Sequence, residues 1–253
     1  MKALITGASG GLGAAIAREL AAAGWSLALS GRDAGVLEAL ANELTEGFGV
    51  ECLPFVADLC DPASVRALTD HFEERELNAL ILAGAQYNHS AAAAQSAESF
   101  MALTQSNVVQ TGHLIRWAMT RLEPCDKLLV VGSMGATMPA PYNASYSASK
   151  AWLHQYVRSI QAEAEGPSVT LAIPGGMKTP MLTTSPAYRR LQGIPILRSS
   201  IQTPRAAARQ MVAAMMSGRR QVVTGFWNRC LYLASRVLPG SLLGAALRWI
   251  YRG

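Results

Sequence analysis

Short apolar runs alternate along the chain with longer stretches in which apolar residues recur every three or four positions. Seven runs are nearly continuous in aliphatic residues: KALIT (2–6), SLALS (26–30), VECLPFV (50–56), NALILAG (78–84), KLLVVGS (127–133), SVTLAIP (168–174) and RQVVTG (220–225). Runs of this length without polar alternation fit strands covered on both faces. Helical spacing marks 12–23, where Leu12, Ile16 and Leu20 step by four, then 34–47, 62–75, 95–122, 147–165 and 204–217. Thr203 before Pro204 is a cap and first-turn signal for the last of these. Strand–helix alternation repeated this often predicts an α/β chain built from βαβ units, with a parallel sheet and helices on both faces. No internal linker or low-complexity tract interrupts it, so a single domain over 1–253 is expected.

Two segments fall outside that rhythm. Residues 180–202 exceed the usual loop length, which points to a functional flap. Its apolar residues are Met181, Leu182, Tyr188, Leu191, Ile194, Ile196 and Leu197, which Met177 and Met138 can join to wall an apolar pocket. Residues 226–253 form an extension with apolar residues at helical spacing, Trp227, Leu231, Ala234 and Leu238, then a break at Pro239-Gly240. A second run follows with Leu242, Leu243, Ala246, Trp249 and Ile250. Each half is shorter than the ~18 residues a membrane span needs.

The chain is half hydrophobic and 15% charged, with a net charge of +5 that hides a split. Residues 1–177 hold 10 Lys/Arg and 17 Asp/Glu; residues 178–253 hold 12 Lys/Arg and no acid. The last carboxylate side chain is that of Glu165. This basic end is either a solubilising surface or an electropositive face for an anionic partner. Its cations are spread over flap, helix and tail without a reader motif, which argues against nucleic acid. Cys52, Cys60, Cys125 and Cys230 are scattered and His71, His89, His113 and His154 form no ligand cluster, so reduced thiols, no metal site and a cytoplasmic protein are expected. KALIT reads as a strand from residue 2, so no secretory leader is expected.

The first chemical signal is TGASGGLG, Thr6 to Gly13, between the first strand and an amphipathic helix. Gly7, Gly11 and Gly13 let the backbone turn and approach a pyrophosphate, and the helix N-terminus offers unpaired N–H groups. In this context the turn predicts a Rossmann-type doubly wound sheet of about seven strands that binds a dinucleotide. The second strand ends LSGRD, where NAD-selecting sites place an acid against the ribose 2′-hydroxyl. Gly31 and Arg32 stand there instead, and a guanidinium suits a 2′-phosphate, so NADP(H) is expected. Asp33 reads as the cap of the following helix.

With ADL (57–59), LAG (82–84), SNV (106–108), VVGSMGA (130–136), YSASK (146–150) and IPGGMKTP (173–180), the chain resembles the short-chain dehydrogenase/reductase family over about residues 1–225. The resemblance implies that Tyr146 is the general acid/base, that Lys150 lowers its pKa and holds the nicotinamide ribose, and that Ser133 binds the substrate oxygen. Asn107 would hold a water linking Lys150 to solvent. The cofactor would rest on Gly7, Ser9, Gly11, Leu12, Gly13, Arg32, Asp58, Ala83 and Gly84, with Pro174, Gly175 and Thr179 at the nicotinamide. Leu82 stands where many members carry asparagine. Tyr142 is near the same helix start but lies eight residues from Lys150. Family resemblance also implies a homodimer or homotetramer.

The Tyr146–Lys150 spacing has a chemical reason. A free phenol has a pKa of about 10, and an ammonium one helical turn away favours the phenolate. Reduction of a carbonyl would then use Ser133 and Tyr146 on its oxygen and a hydride from the nicotinamide. A hydrophobic ketone or secondary alcohol is the expected substrate. The alternative is a 3-ketoacyl thioester on an acyl carrier or coenzyme A, and a further reading is a non-catalytic NADP(H)-binding regulator or scaffold. The arginine-bearing tail can lie on an anionic membrane surface, as a peripheral association, or pack within the protein.

Overall fold

The computed structural model describes residues 1–163, 165–185 and 187–252. The side chain of Met181, assigned above to the flap's apolar set, lies outside the described residues. Seven strands, β1 (Lys2–Thr6), β2 (Ser26–Gly31), β3 (Cys52–Val56), β4 (Ala79–Leu82), β5 (Lys127–Val131), β6 (Ser168–Ile173) and β7 (Gln221–Val223), form one sheet in the order β3-β2-β1-β4-β5-β6-β7. Every neighbouring pair is parallel. The pleat divides each strand between two cores. Ala3, Ile5, Leu27 and Leu29 face α1 (Gly11–Ala22), α2 (Ala34–Phe48) and α10 (Pro204–Met216). Leu4, Ala28, Leu80 and Val130 face α3 (Pro62–Phe72), α5 (Thr111–Arg121) and α6 (Ala144–Glu163). Burial on both faces is why the strands read as continuous apolar runs.

Helix starts follow their caps. Asp33 accepts from the Val36 amide, Asp61 from those of Ala63 and Ser64, and Thr203 from that of Ala206; such a cap is worth about 1 kcal/mol. Residues 95–122, read above as one helix, contain α4 (Ala97–Thr104), a π-helical stretch over Gln105–Gln110, and then α5. The wide turn is braced by the Thr111 hydroxyl, which donates to the Ser106 carbonyl at 2.8 Å. It carries Asn107, in keeping with the tendency of π-turns to sit at functional sites.

The flap folds into three short helices, α7 (Pro180–Thr183), α8 (Ala187–Gly193) and α9 (Pro195–Ser200). Its base is closed: Lys178 N–H donates to the Gln202 carbonyl and Gln202 N–H to the Gly176 carbonyl. The extension forms α11 (Phe226–Val237) and α12 (Gly240–Tyr251). Gly240 and Gly244 of α12 face Pro139, close to the 3₁₀ turn Met134–Thr137 that follows β5.

Candidate functional site

Strand order reverses between β1 and β4, and the crevice of an open parallel sheet lies at such a switch point. Here the turn after β1 touches the loop after β4 directly: a Cβ on Gly7, whose φ is +71°, would sit 2.5 Å from Gly84 Cα. A Cβ on Gly13 would meet the Gly7 carbonyl oxygen at 2.2 Å. Helix α1 has no side-chain cap and no acid in its first turn, so its first N–H groups and positive dipole end face the cleft. That cleft, of about 540 Å³, runs from Ser9, Arg32 and Asp58 past the glycine turn to Ser133, Tyr146 and Lys150, with Pro174, Gly175 and Thr179 along its rim. A bare glycine wall, free helix N–H groups and an exposed arginine suit a phosphate-bearing dinucleotide; the residues present fit the expected group. Asp58 is partly engaged, its Oδ1 accepting from Cys60 N–H at 2.9 Å.

Tyr146 and Lys150 lie one turn apart on α6, and Ser133 leaves β5 beside them. Lys150 is buried, with Nζ donating to the Val131 carbonyl at 2.9 Å. Burial drives its pKa down to about 8. The Tyr146 phenol is pushed up by burial, opposed by the Ser133 hydroxyl, and raised further by Tyr251. Lys150 was expected to hold this phenol down; in the chain itself desolvation dominates both groups and drives each toward its neutral form. Asn107 sits behind the cleft rather than in it. Its Oδ1 accepts from Gln86 N–H (2.8 Å) and its Nδ2 donates to the Gln86 carbonyl (2.9 Å), pinning the loop after β4 to the π-turn.

The opposite wall is aromatic. Tyr87 meets Tyr146 edge-on at 5.1 Å between centroids, and Tyr251, from the end of α12, borders the same space. Arg190 of α8 donates to the carbonyls of Trp249, Ile250 and Arg252, tying the flap to the end of the tail. Of the flap's expected apolar set Leu182 borders the cleft, with Met177 just before it; Tyr188, Leu191, Ile194, Ile196, Leu197 and Met138 do not. The tail supplies the wall that the flap was expected to supply.

The family model for short chain dehydrogenases matches residues 1–189. The chain belongs to that family. Inactive hydroxysteroid dehydrogenase-like protein 1 of Rattus norvegicus is 26% identical over 245 residues, covering 94% of this chain and 72% of that one. A solved structure concerned with 7beta-hydroxysteroid dehydrogenase stereoselectivity superposes with a TM-score of 0.83 at 22% identity, over 97% of this chain and 96% of that chain. An alcohol dehydrogenase from the archaeon Thermococcus sibiricus, complexed with 5-hydroxy-NADP, gives a TM-score of 0.75 at 26% identity, over 88% of this chain and 94% of that chain.

Three residues of this short-chain dehydrogenase escaped the sequence reading. Tyr251 stands in a tail whose periodicity says nothing of where its last turn lands. Asn228 of α11 is buried, donates to the Ser200 and Thr224 carbonyls, and leaves space only for a glycine at Gly175, where a Cβ would meet its Oδ1 at 2.2 Å. His154, two turns beyond Tyr146, accepts from Ser133 N–H through Nε2 at 3.2 Å. Its i+4 spacing from Lys150 was the one local signal. At Leu82 the family's asparagine gives way to a buried side chain in the second core.

Proposed function

We propose that the protein is an NADP(H)-dependent reductase/dehydrogenase of a hydrophobic ketone or the matching secondary alcohol. The observation that carries this reading is Ser133, Tyr146 and Lys150 meeting at one end of a cleft whose other end is a glycine cradle beside Arg32. A bound nicotinamide would supply or take the hydride. Ser133 Oγ and Tyr146 Oη would hold the substrate oxygen, and Tyr146 would exchange the proton with it. Lys150, fixed on the Val131 carbonyl, would supply the positive field that offsets the desolvation of the phenol. Arg32 is exposed at the cleft and makes no hydrogen bond or ion pair among the described residues, which leaves its guanidinium free for a 2′-phosphate. The aromatic wall of Tyr87 and Tyr251 favours an apolar substrate over a carrier-bound thioester.

The test is NADPH oxidation against small ketones, long-chain and polycyclic ketones and 3-ketoacyl thioesters, with Tyr146→Phe beside wild type. Turnover of one apolar class, lost in the variant, is the expected result. NADPH binding without turnover of any class would favour the second reading, a nucleotide-binding regulator, which the name of the Rattus norvegicus relative makes worth testing.

Two partners follow from the surface. Phe100, Met101, Val109 and Trp152 are exposed on α4, the π-turn and α6, with Trp152 lying against Gly112 of α5, which supports a homo-oligomer through this side. The outer faces of the tail interleave Phe226, Leu233 and Val237 with Arg229 and Arg236, and Leu242 and Trp249 with Arg248 and Arg252. Large apolar side chains among arginines, in a third of the chain without an acid, suit an anionic bilayer surface better than an acidic carrier protein. No described helix is long and apolar enough to cross a membrane. Co-sedimentation with phosphatidylglycerol vesicles but not with neutral phosphatidylcholine ones, lost in Leu233→Glu or Trp249→Glu, is the expected outcome; equal recovery from both, or none from either, refutes it.

A further inference from the structure

Where β5 ends, consecutive N–H groups point to opposite sides. Gly132 N–H donates to the Ala172 carbonyl at 2.7 Å and Met134 N–H to the Pro174 carbonyl at 2.9 Å, both on the β6 side. The Ser133 N–H between them faces the side of β4, which has already ended at Leu82, opposite Val130. No strand is there to accept it, and an unpartnered buried amide is costly. His154 fills the gap: its Nε2 lies 3.2 Å from the Ser133 nitrogen, and the ring is only 3% exposed.

The neighbouring residue is shaped to this ring. A Cβ on Gly132 would lie 2.1 Å from His154 Nε2 and 2.7 Å from Cδ2, so the imidazole occupies the space that any larger residue at 132 would take. Because Nε2 accepts, the ring proton is on Nδ1. Burial, then Arg158 and Lys150, lower the imidazole pKa to about 3, so it stays neutral and remains an acceptor at working pH. Helical spacing places Tyr146, Lys150 and His154 on one stripe of α6. The helix that carries the phenol thereby also sets the serine strand.

We infer that His154 is a positioning residue: through its Nε2···H–N bond to Ser133 it fixes the hydroxyl of Ser133 relative to Tyr146. This rests on the reductase reading given above. Ser133 Oγ accepts from Gly135 N–H at 3.1 Å, so the backbone at 133 determines where the hydroxyl lies. A displacement of the order of 1 Å at such a group can cost about a hundredfold in rate.

The experiment is a double-mutant cycle with a spectroscopic arm. His154→Leu should lower kcat on the best ketone about ten- to a hundredfold with the KM for NADPH unchanged. His154→Gln, whose amide oxygen can accept the same N–H, should recover most of that loss. In a Ser133→Ala background, His154→Leu should cost less than about twofold, because the group it positions is gone. An equal loss in both backgrounds, or no rescue by Gln, overturns the inference. Loss of turnover in Ser133→Ala with full turnover in His154→Leu overturns it while leaving the reductase reading intact. Amide exchange reads the bond without turnover: Ser133 N–H should be protected like the core in wild type and in His154→Gln and exposed in His154→Leu. A wild-type Ser133 amide that exchanges as freely as a surface loop, or a His154 ring that titrates near the ordinary 6.5, refutes it even if no ketone is turned over.

Discussion

Replacing Lys150 by methionine should stabilise the cofactor-free protein while removing its activity. The ammonium is buried, and its pKa falls from an ordinary 10.5 to about 8. At about 1.4 kcal/mol for each pH unit, keeping that proton in the folded chain costs roughly 3 kcal/mol near neutrality. Its hydrogen bond to the Val131 carbonyl returns about 1 kcal/mol, which methionine forfeits. The net gain for Lys150→Met at pH 7 is therefore roughly 2 kcal/mol, or a Tm higher by about 4–8 °C for a chain of this size.

The pH dependence gives the prediction its edge. Between about 8 and 10.5 the unfolded chain holds a proton at Lys150 that the folded chain has released, so the wild type gains stability as pH rises. The variant has no such group. Its advantage should shrink to about 1 kcal/mol at pH 9 and vanish near pH 10. Burial raises the Tyr146 phenol, so its linkage has the opposite sign, lowering folded stability as the unfolded phenol ionises. Urea unfolding of both proteins at pH 7, 8, 9 and 10 is the assay. A gap that does not change with pH, or a wild type more stable than the variant at pH 7, would sink the argument that Lys150 is held in place against its own desolvation.

Arg32→Ala should weaken NADPH about ten- to a hundredfold and leave NADH unchanged, the loss of a charge-assisted contact; an unchanged ratio in a binding titration removes Arg32 from the site. Gly31→Asp alone should gain little NADH affinity, because a Cβ at 31 lies 2.6 Å from Ser9 Oγ. Gly31→Asp with Ser9→Gly should bind NADH tighter than either single variant, and strict additivity of the two would refute the clash. Arg190→Gln should free the end of α12, raising the KM for bulky ketones several-fold with NADPH affinity intact; identical KM values across substrate size would show that Tyr251 does not wall the pocket.

How far the site could be read from the chain depends on whether each property is local. β1 and β6 are predicted to within a residue because a strand buried on both faces writes its whole length as apolar residues. The glycine turn and the Tyr146–Lys150 spacing are equally local, since their geometry is set within one turn of helix. The π-turn at Asn107 was not legible: it inserts one residue into an unbroken helical pattern, held by a hydroxyl reaching back five positions. The flap was read as a loop because Pro180 and Pro195 start helices of only four and six residues, too short to show a period. Tyr251, Asn228 and the His154–Gly132 pair depend on elements that meet only after folding.

The same distinction governs the acidity of Tyr146. Spacing alone places an ammonium beside a phenol and argues for a lowered pKa. The fold adds what spacing omits: Lys150 turned onto a carbonyl, Tyr251 leaning in from the tail, and both partners enclosed. Desolvation then raises the phenol and lowers the amine to about 8, so at neutral pH the bare site holds a neutral phenol beside a Lys150 that is still protonated. A neutral phenol is the form that gives a proton to a carbonyl oxygen, and a site built this way favours the reduction direction at neutral pH. Oxidation of the alcohol needs the phenolate, and its rate should therefore rise with pH over a range in which reduction declines. Opposite pH slopes for the two directions would support this reading; parallel slopes would place the titrating group elsewhere.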